Sequence, residues 1–321
     1  MEFFKKQNWG MIISLVLWCA ITLIRVMNHS PWYDEAHAWL IAQELDFLEI
    51  IKLMKIEGHT FLWYLILMPF AKTDFMYPYS MLLLNWLFCF IAVLILWIKA
   101  PLNNWVKFFI SFSFPFLSLY PVVARCYSIG IMFLFALTAM EKGKLKHPNW
   151  YALLLILCAN TSIMGAVGAT VFGMLFAFEL IKNKRNFVVP FAIMFAGAVV
   201  ILIQLLGSTN DIIGETHNIF STLFKNVFFK NILLNEILLV IFGCSLLIFY
   251  LKNKIFPLFL VTSYTILFAI FNVYSGNIWH WFYFYIYFII SSWLIFNKYS
   301  LKFKNLYIVI LCTISILYVF F

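Results

Sequence analysis

Apolar runs of about 20 residues recur along the whole chain with only short polar interruptions, and little but a bundle of membrane-crossing helices accommodates that pattern. The runs fall at about 9–27, 78–98, 105–121, 126–140, 150–163, 164–181, 187–206, 232–251, 255–273, 279–297 and 306–321, which predicts about eleven spans. With 65% hydrophobic and 11% charged residues, no segment is polar enough for a separate soluble domain. The expectation is one all-α, polytopic transmembrane domain over residues 1–321. Its first run, Trp9 to Met27, follows Lys5-Lys6 but lacks a small-residue cleavage site, so it reads as a retained helix rather than a signal peptide.

Two compositional features exclude function classes. The six cysteines (Cys19, Cys89, Cys126, Cys158, Cys244 and Cys312) lie singly within or at the ends of apolar runs with no CxxC spacing, against a zinc or disulfide framework. The net charge of +9 comes from basic residues dispersed between the runs, so it reports orientation and not a nucleic-acid partner.

Orientation follows from one ambiguous segment. Phe61 to Ala71 would reach only about 16 Å as a helix, roughly half a hydrocarbon core, and is read as a juxtamembrane helix that does not cross. With the N-terminus cytoplasmic, the clusters Lys5/Lys6, Lys99/Lys107, Lys142/Lys144/Lys146, Lys182/Lys184/Arg185, Lys252/Lys254 and Lys298/Lys302/Lys304 then all lie inside. A crossing at Phe61 to Ala71 would turn the last five outward, against the positive-inside rule. The external side receives Asp34, Glu35, His37, His59, Arg125, Asn160, Glu215, His217 and His280. The longest external segment, His29 to Tyr77, contains an amphipathic pattern over Asp34 to Ile56, with Leu40, Ile41, Leu45, Leu48, Ile51 and Met54 on one face. Such a helix lies either in the membrane interface or against the bundle.

The ionisable pair Asp34-Glu35 sits among aromatics in Pro31-Trp32-Tyr33-Asp34-Glu35-Ala36-His37-Ala38-Trp39, directly after the first run. Acids kept beside a membrane point to chemistry; the plainer reading is a solvated loop. No internal repeat, Gly-rich phosphate loop or other nucleotide motif is present, so an outward-facing enzyme would draw its activated substrate from the lipid phase. Two further stretches carry reactive side chains: Glu57-Gly58-His59-Thr60-Phe61-Leu62-Trp63-Tyr64-Leu65, and Ala124-Arg125-Cys126-Tyr127-Ser128 at a later helix start.

In their order and spacing these three stretches resemble membrane glycosyltransferases of the GT-C class, nearest to bacterial family 39 protein-mannosyltransferase-like and aminoarabinose-transferase-like proteins. The resemblance covers roughly the first 180 residues. It implies a catalytic module over about 1–185 followed by variable helices over about 186–321. It also implies an enzyme of the bacterial plasma membrane that passes a sugar from a polyprenyl-phosphate donor to a glycan, lipid or protein acceptor on the outer face, with inversion. Carried over, Asp34 is the base toward the acceptor hydroxyl, and Glu35 either assists it or holds a neighbouring basic group. Relatives often carry His-Pro-Pro where this chain has His59-Thr60-Phe61.

Independently of the resemblance, a lipid phosphate needs neutralising donors, and the planar guanidinium of Arg125 suits it. The other reading of Arg125 is a side chain snorkelling from a helix end. His59, His280, Tyr127 and His37 complete the candidate substrate and lipid-phosphate contacts, although His280 also fits an interfacial aromatic belt over Trp279 to Tyr287, and His217 reads as a loop residue. No cofactor motif is present. A divalent ion, manganese or magnesium, would find ligands in Asp34, Glu35 and His37 if these converge with His29 and His59, a mixed histidine and carboxylate set that suits zinc or manganese more than magnesium, but no HExxH spacing supports one. The competing functions are a surface-polysaccharide polymerase or ligase, a transporter of lipid-linked sugars, and a structural membrane subunit. A transporter would place its ionisable groups at the bilayer midplane and show repeat symmetry.

Overall fold

The computed structural model describes residues 9–57, 59–205, 259, 262–267, 270, 277–298 and 313. Within them the chain is all-helical, without a strand. The order is α1 (Trp9–Met27), α2 (Tyr33–Glu44), α3 (Phe47–Glu57), α4 (Leu62–Ala71), α5 (Tyr79–Lys99), α6 (Asn104–Ser111), a π-helical turn (Pro115–Leu119), α7 (Tyr127–Met140), a 3-10 turn (Glu141–Gly143), α8 (Pro148–Ala159), α9 (Ile163–Lys182), α10 (Val188–Leu205) and α11 (Ile278–Lys298).

Four of these helices, α1, α5, α9 and α11, are long and apolar enough to cross a membrane. α4, α8 and α10 are apolar but shorter, and α8, at 12 residues, reaches only about 18 Å. The predicted runs at 232–251 and 306–321 and most of 255–273 lie outside the described residues. Two single helices expected from the sequence are each broken. The run at 105–121 divides into α6 and the π-helical turn, because Pro115 offers no N–H to the Ser111 carbonyl and its ring crowds that carbonyl. The amphipathic run at 34–56 divides into α2 and α3 at Leu45-Asp46, where Asp46 Oδ1 accepts from the Glu49 N–H (2.9 Å) and Glu49 Oε2 from the Asp46 N–H (2.8 Å). This reciprocal pair is a capping box, which starts a new helix.

α7 is the hub, packed against α5, α8, α9 and α11, while α2 lies on α4 and α3 on α10. α1 buries a single stripe, Ser14, Trp18, Thr22 and Val26, one residue per turn. Its outer face, including Ile13, Val16 and Ile24, is also apolar and stays exposed, as suits contact with lipid. Inside the stripe the polar atoms are satisfied: Trp18 Nε1 donates to the Phe116 carbonyl (2.9 Å) and Trp86 Nε1 to Thr22 Oγ1 (2.8 Å). α1 is thereby fastened to α5 and to the π-helical turn that leads into α7.

Candidate active site

Glu35 and Asp34 are neighbours in sequence with opposite surroundings. Glu35 is fully buried. One of its oxygens accepts the Trp32 N–H (2.7 Å) and lies 2.8 Å from His29 Nε2, and the other accepts the Ala124 N–H (2.6 Å). Three donors on one carboxylate offset its desolvation. They also join the end of α1, the start of α2 and the turn before α7, with His29 the basic side chain at the Glu35 carboxylate.

Asp34 points the other way, with a side chain 45% exposed and Oδ2 2.7 Å from Nη1 of Arg125. Arg125 Nη2 lies 2.9 Å from His59 Nε2. A guanidinium can only donate, so His59 Nε2 accepts and its proton sits on Nδ1. Desolvation, and then the Arg125 charge, push the His59 pKa down to about 3, which keeps the ring neutral.

The turn that carries Arg125 is fastened from three sides. Glu35 takes its Ala124 N–H, Ser128 Oγ donates to the Tyr120 carbonyl (2.6 Å), and Asn85 Nδ2 lies 2.8, 3.3 and 3.2 Å from the carbonyls of Tyr120, Pro121 and Val123. The helical donors for the Tyr120 and Pro121 carbonyls are directed elsewhere, the Ala124 N–H to Glu35 and the Arg125 N–H to the Val123 carbonyl (2.9 Å). The segment that carries His59 is held in a similar way. The Phe61 N–H donates to Gln204 Oε1 (2.9 Å), Gln204 Nε2 donates to Asn160 Oδ1 (3.1 Å), and the Leu62 N–H donates to the Asn160 carbonyl (3.3 Å).

Beside this group, Tyr127 Oη is 2.7 Å from His280 Nε2. The Asn277 N–H donates to His280 Nδ1 (2.8 Å), which puts the ring proton on Nε2 and makes the Tyr127 oxygen its acceptor. The Tyr127 ring meets His59 edge-on at 6.3 Å and Trp279 at 6.5 Å. The structure therefore brings Asp34, Arg125, His59, Tyr127 and His280 to one end of α7.

His37 is not in this group: its Nε2 lies 3.0 Å from Glu57 Oε1, and its ring stacks on Tyr33 at 5.8 Å. The proposed metal set Asp34, Glu35 and His37 accordingly does not converge. Asp34 is taken by Arg125, both Glu35 oxygens face N–H donors and His37 faces Glu57, and among the described residues no three metal-binding side chains come together. Glu215 and His217 lie outside the described residues.

Asn85 and Gln204 are the residues that sequence reasoning missed. Each is a lone amide within an apolar helix, which is itself a signal, because a polar group buried in such a helix requires a partner. Comparison of the chain with family models, with curated proteins and with solved structures gives no match in any of the three.

Proposed function

We propose that this protein is a GT-C-type membrane glycosyltransferase that moves a sugar from a polyprenyl-phosphate donor to an acceptor hydroxyl, with Asp34 as the base. The observation that carries the reading is the half-exposed Asp34 carboxylate 2.7 Å from the largely buried Arg125, on a turn fastened by Glu35 and Asn85. A general base and an anion-binding group are thus side by side at the end of a helical bundle. In the step we assign, the acceptor O–H gives its proton to Asp34 as its oxygen bonds to the anomeric carbon. The bond from that carbon to the phosphate oxygen breaks, and its electron pair leaves on the phosphate, whose charge Arg125 neutralises.

Charge placement supports an outward-facing site. Lys142, Lys144, Lys146, Lys182, Lys184 and Arg185 lie at or just beyond the C-terminal ends of α7 and α9, while Arg125 precedes the N-terminal end of α7. Under the positive-inside rule the Arg125 end is external.

The test is discharge of radiolabelled polyprenyl-phosphate sugars by membranes containing the wild type or Asp34→Asn at equal level. Discharge by the wild type and its loss in Asp34→Asn are expected. Full activity of Asp34→Asn would remove the base, and a donor that crosses the membrane undischarged would favour a transporter.

A further inference from the structure

Resting on the glycosyltransferase reading, we propose that the Asp34–Arg125 ion pair is a resting lock opened by the donor: the phosphate takes Arg125 from Asp34, and only then is Asp34 free to act as base.

The geometry shows which of Arg125's partners is exchangeable. Nη2 is held by His59, a neutral ring on a segment tied to Asn160 and Gln204 through Phe61 and Leu62. Nη1 is held by Asp34, which is 45% exposed and which, among the described residues, has Arg125 as its one ion-pair partner. A half-exposed carboxylate recovers its hydration on release, so parting costs little. A phosphate offers two oxygens to the planar N–H fork, which a carboxylate oxygen in a single contact does not match. Two buried donors beside the group have spare capacity for the same anion, since neither has a hydrogen-bond partner among the described residues. They are Thr60 Oγ1, next in the chain to His59, and Trp279 Nε1, whose ring lies 6.5 Å from that of Tyr127.

The exchange imposes an order on the reaction. An acceptor that arrives before the donor meets a carboxylate already occupied by a cation, and is not deprotonated. A donor in place supplies both the electrophile and the free base. Asp34 thus competes with the substrate phosphate for Arg125, and removing its charge should tighten phosphate binding while abolishing transfer.

Binding of polyprenyl phosphate and, separately, of inorganic phosphate to the purified full-length chain in detergent tests this for the wild type, Asp34→Asn and Arg125→Gln. Asp34→Asn is expected to bind polyprenyl phosphate roughly fivefold tighter than the wild type, and Arg125→Gln at least about tenfold more weakly. Equal or weaker binding by Asp34→Asn overturns the lock, even where its loss of transfer upholds the base. The same order with inorganic phosphate at equal or higher affinity keeps the lock and overturns the lipid-donor reading beneath it. Absence of binding of either phosphate to the wild type overturns both. In the wild type carrying carbon-13-labelled aspartate, polyprenyl phosphate is expected to shift an aspartate carboxylate infrared band; an unchanged spectrum overturns the lock whether or not Asp34→Asn folds.

Discussion

The two ends of α7 each carry an ion-pair cluster, and the clusters are built to opposite plans. At the N-terminal end Arg125 is shared between one carboxylate and a neutral histidine, and the carboxylate is half open to its surroundings. About 20 Å away, at the C-terminal end, the cation is Lys144, with its side chain only 2% exposed, paired with both Glu141 and Glu179, while Glu141 also accepts from Tyr151 Oη (2.8 Å). A buried cation held by two carboxylates has its charge already neutralised, and with Tyr151 on Glu141 it ties the end of α7 to α8 and α9. A carboxylate with one cationic partner and an open face keeps lone pairs for a further proton. The same residue types make a staple at one end and a candidate site at the other, and the difference lies in how the cation is shared: Lys144 between two carboxylates, Arg125 between one carboxylate and a neutral ring.

The largest expected effect separates the clusters by activity. Asp34→Asn should lower sugar transfer by about a hundredfold or more, in the range for loss of a general base. Lys144→Met should leave transfer per folded molecule unchanged. Loss of transfer per folded molecule in Lys144→Met would erase the distinction.

Stability should separate them in the opposite sense. Removing Lys144 strips the shared cation from Glu141 and Glu179, at a cost of about 3 kcal/mol. Asp34→Asn removes the charge but keeps an amide oxygen that can still accept from the largely buried Arg125, and should cost less, about 1 kcal/mol. Thermal melting of both variants in one detergent reads the difference, and equal losses would mean that the Asp34 pair is a staple as well.

The third prediction concerns His59, which gives the open cluster its own pH signature. Its folded pKa of about 3 lies below the ordinary 6.5, so at low pH the unfolded chain binds a proton that the folded chain refuses. The His59 contribution is therefore complete above pH 6.5 and is lost as pH falls toward 3, at up to about 1.4 kcal/mol per pH unit. Melting temperature measured across that window should fall less steeply in His59→Asn than in the wild type, and parallel curves would show that the ring titrates freely.

Most of the helical scaffold was legible because continuous apolar runs have edges: the runs at 9–27, 78–98, 126–140, 164–181 and 279–297 match α1, α5, α7, α9 and α11 to within a residue or two. The two broken helices carried signals of their own, Pro115 in one and Asp46-Phe47-Leu48-Glu49 in the other, but apolar periodicity continues across both breaks and conceals them. In the site, Asp34, Arg125 and His59 stood out as ionisable groups beside apolar runs. Their partition did not, since nothing in the adjacent letters of Asp34-Glu35 says that one is half-exposed and the other fully buried; that depends on Ala124, far along the chain. The pairing of Tyr127 with His280 across more than 150 residues is likewise a product of packing α11 on α7.

The smallest expected effect tests whether the open end also owes its form to local capping. Asp46 and Glu49 are exposed and touch nothing in the site, yet their reciprocal bonds start α3, whose last residue, Glu57, holds His37. Asp46→Ala removes the acceptor for the Glu49 N–H and should cost about 1 kcal/mol. Because an exposed cap acts only on its own first turn, the loss should appear as roughly fivefold faster hydrogen exchange at Phe47 to Ile51. Exchange around Lys144 should not change, since the 3-10 turn there is fastened by ion pairs to Glu141 and Glu179 and not by a cap. Faster exchange at both ends would mean that α3, through its packing on α10, helps to hold the whole bundle together. Exchange confined to α3 would leave the open end as a separately adjustable layer over a rigid hub, the arrangement that exchange of Arg125 between Asp34 and a phosphate requires.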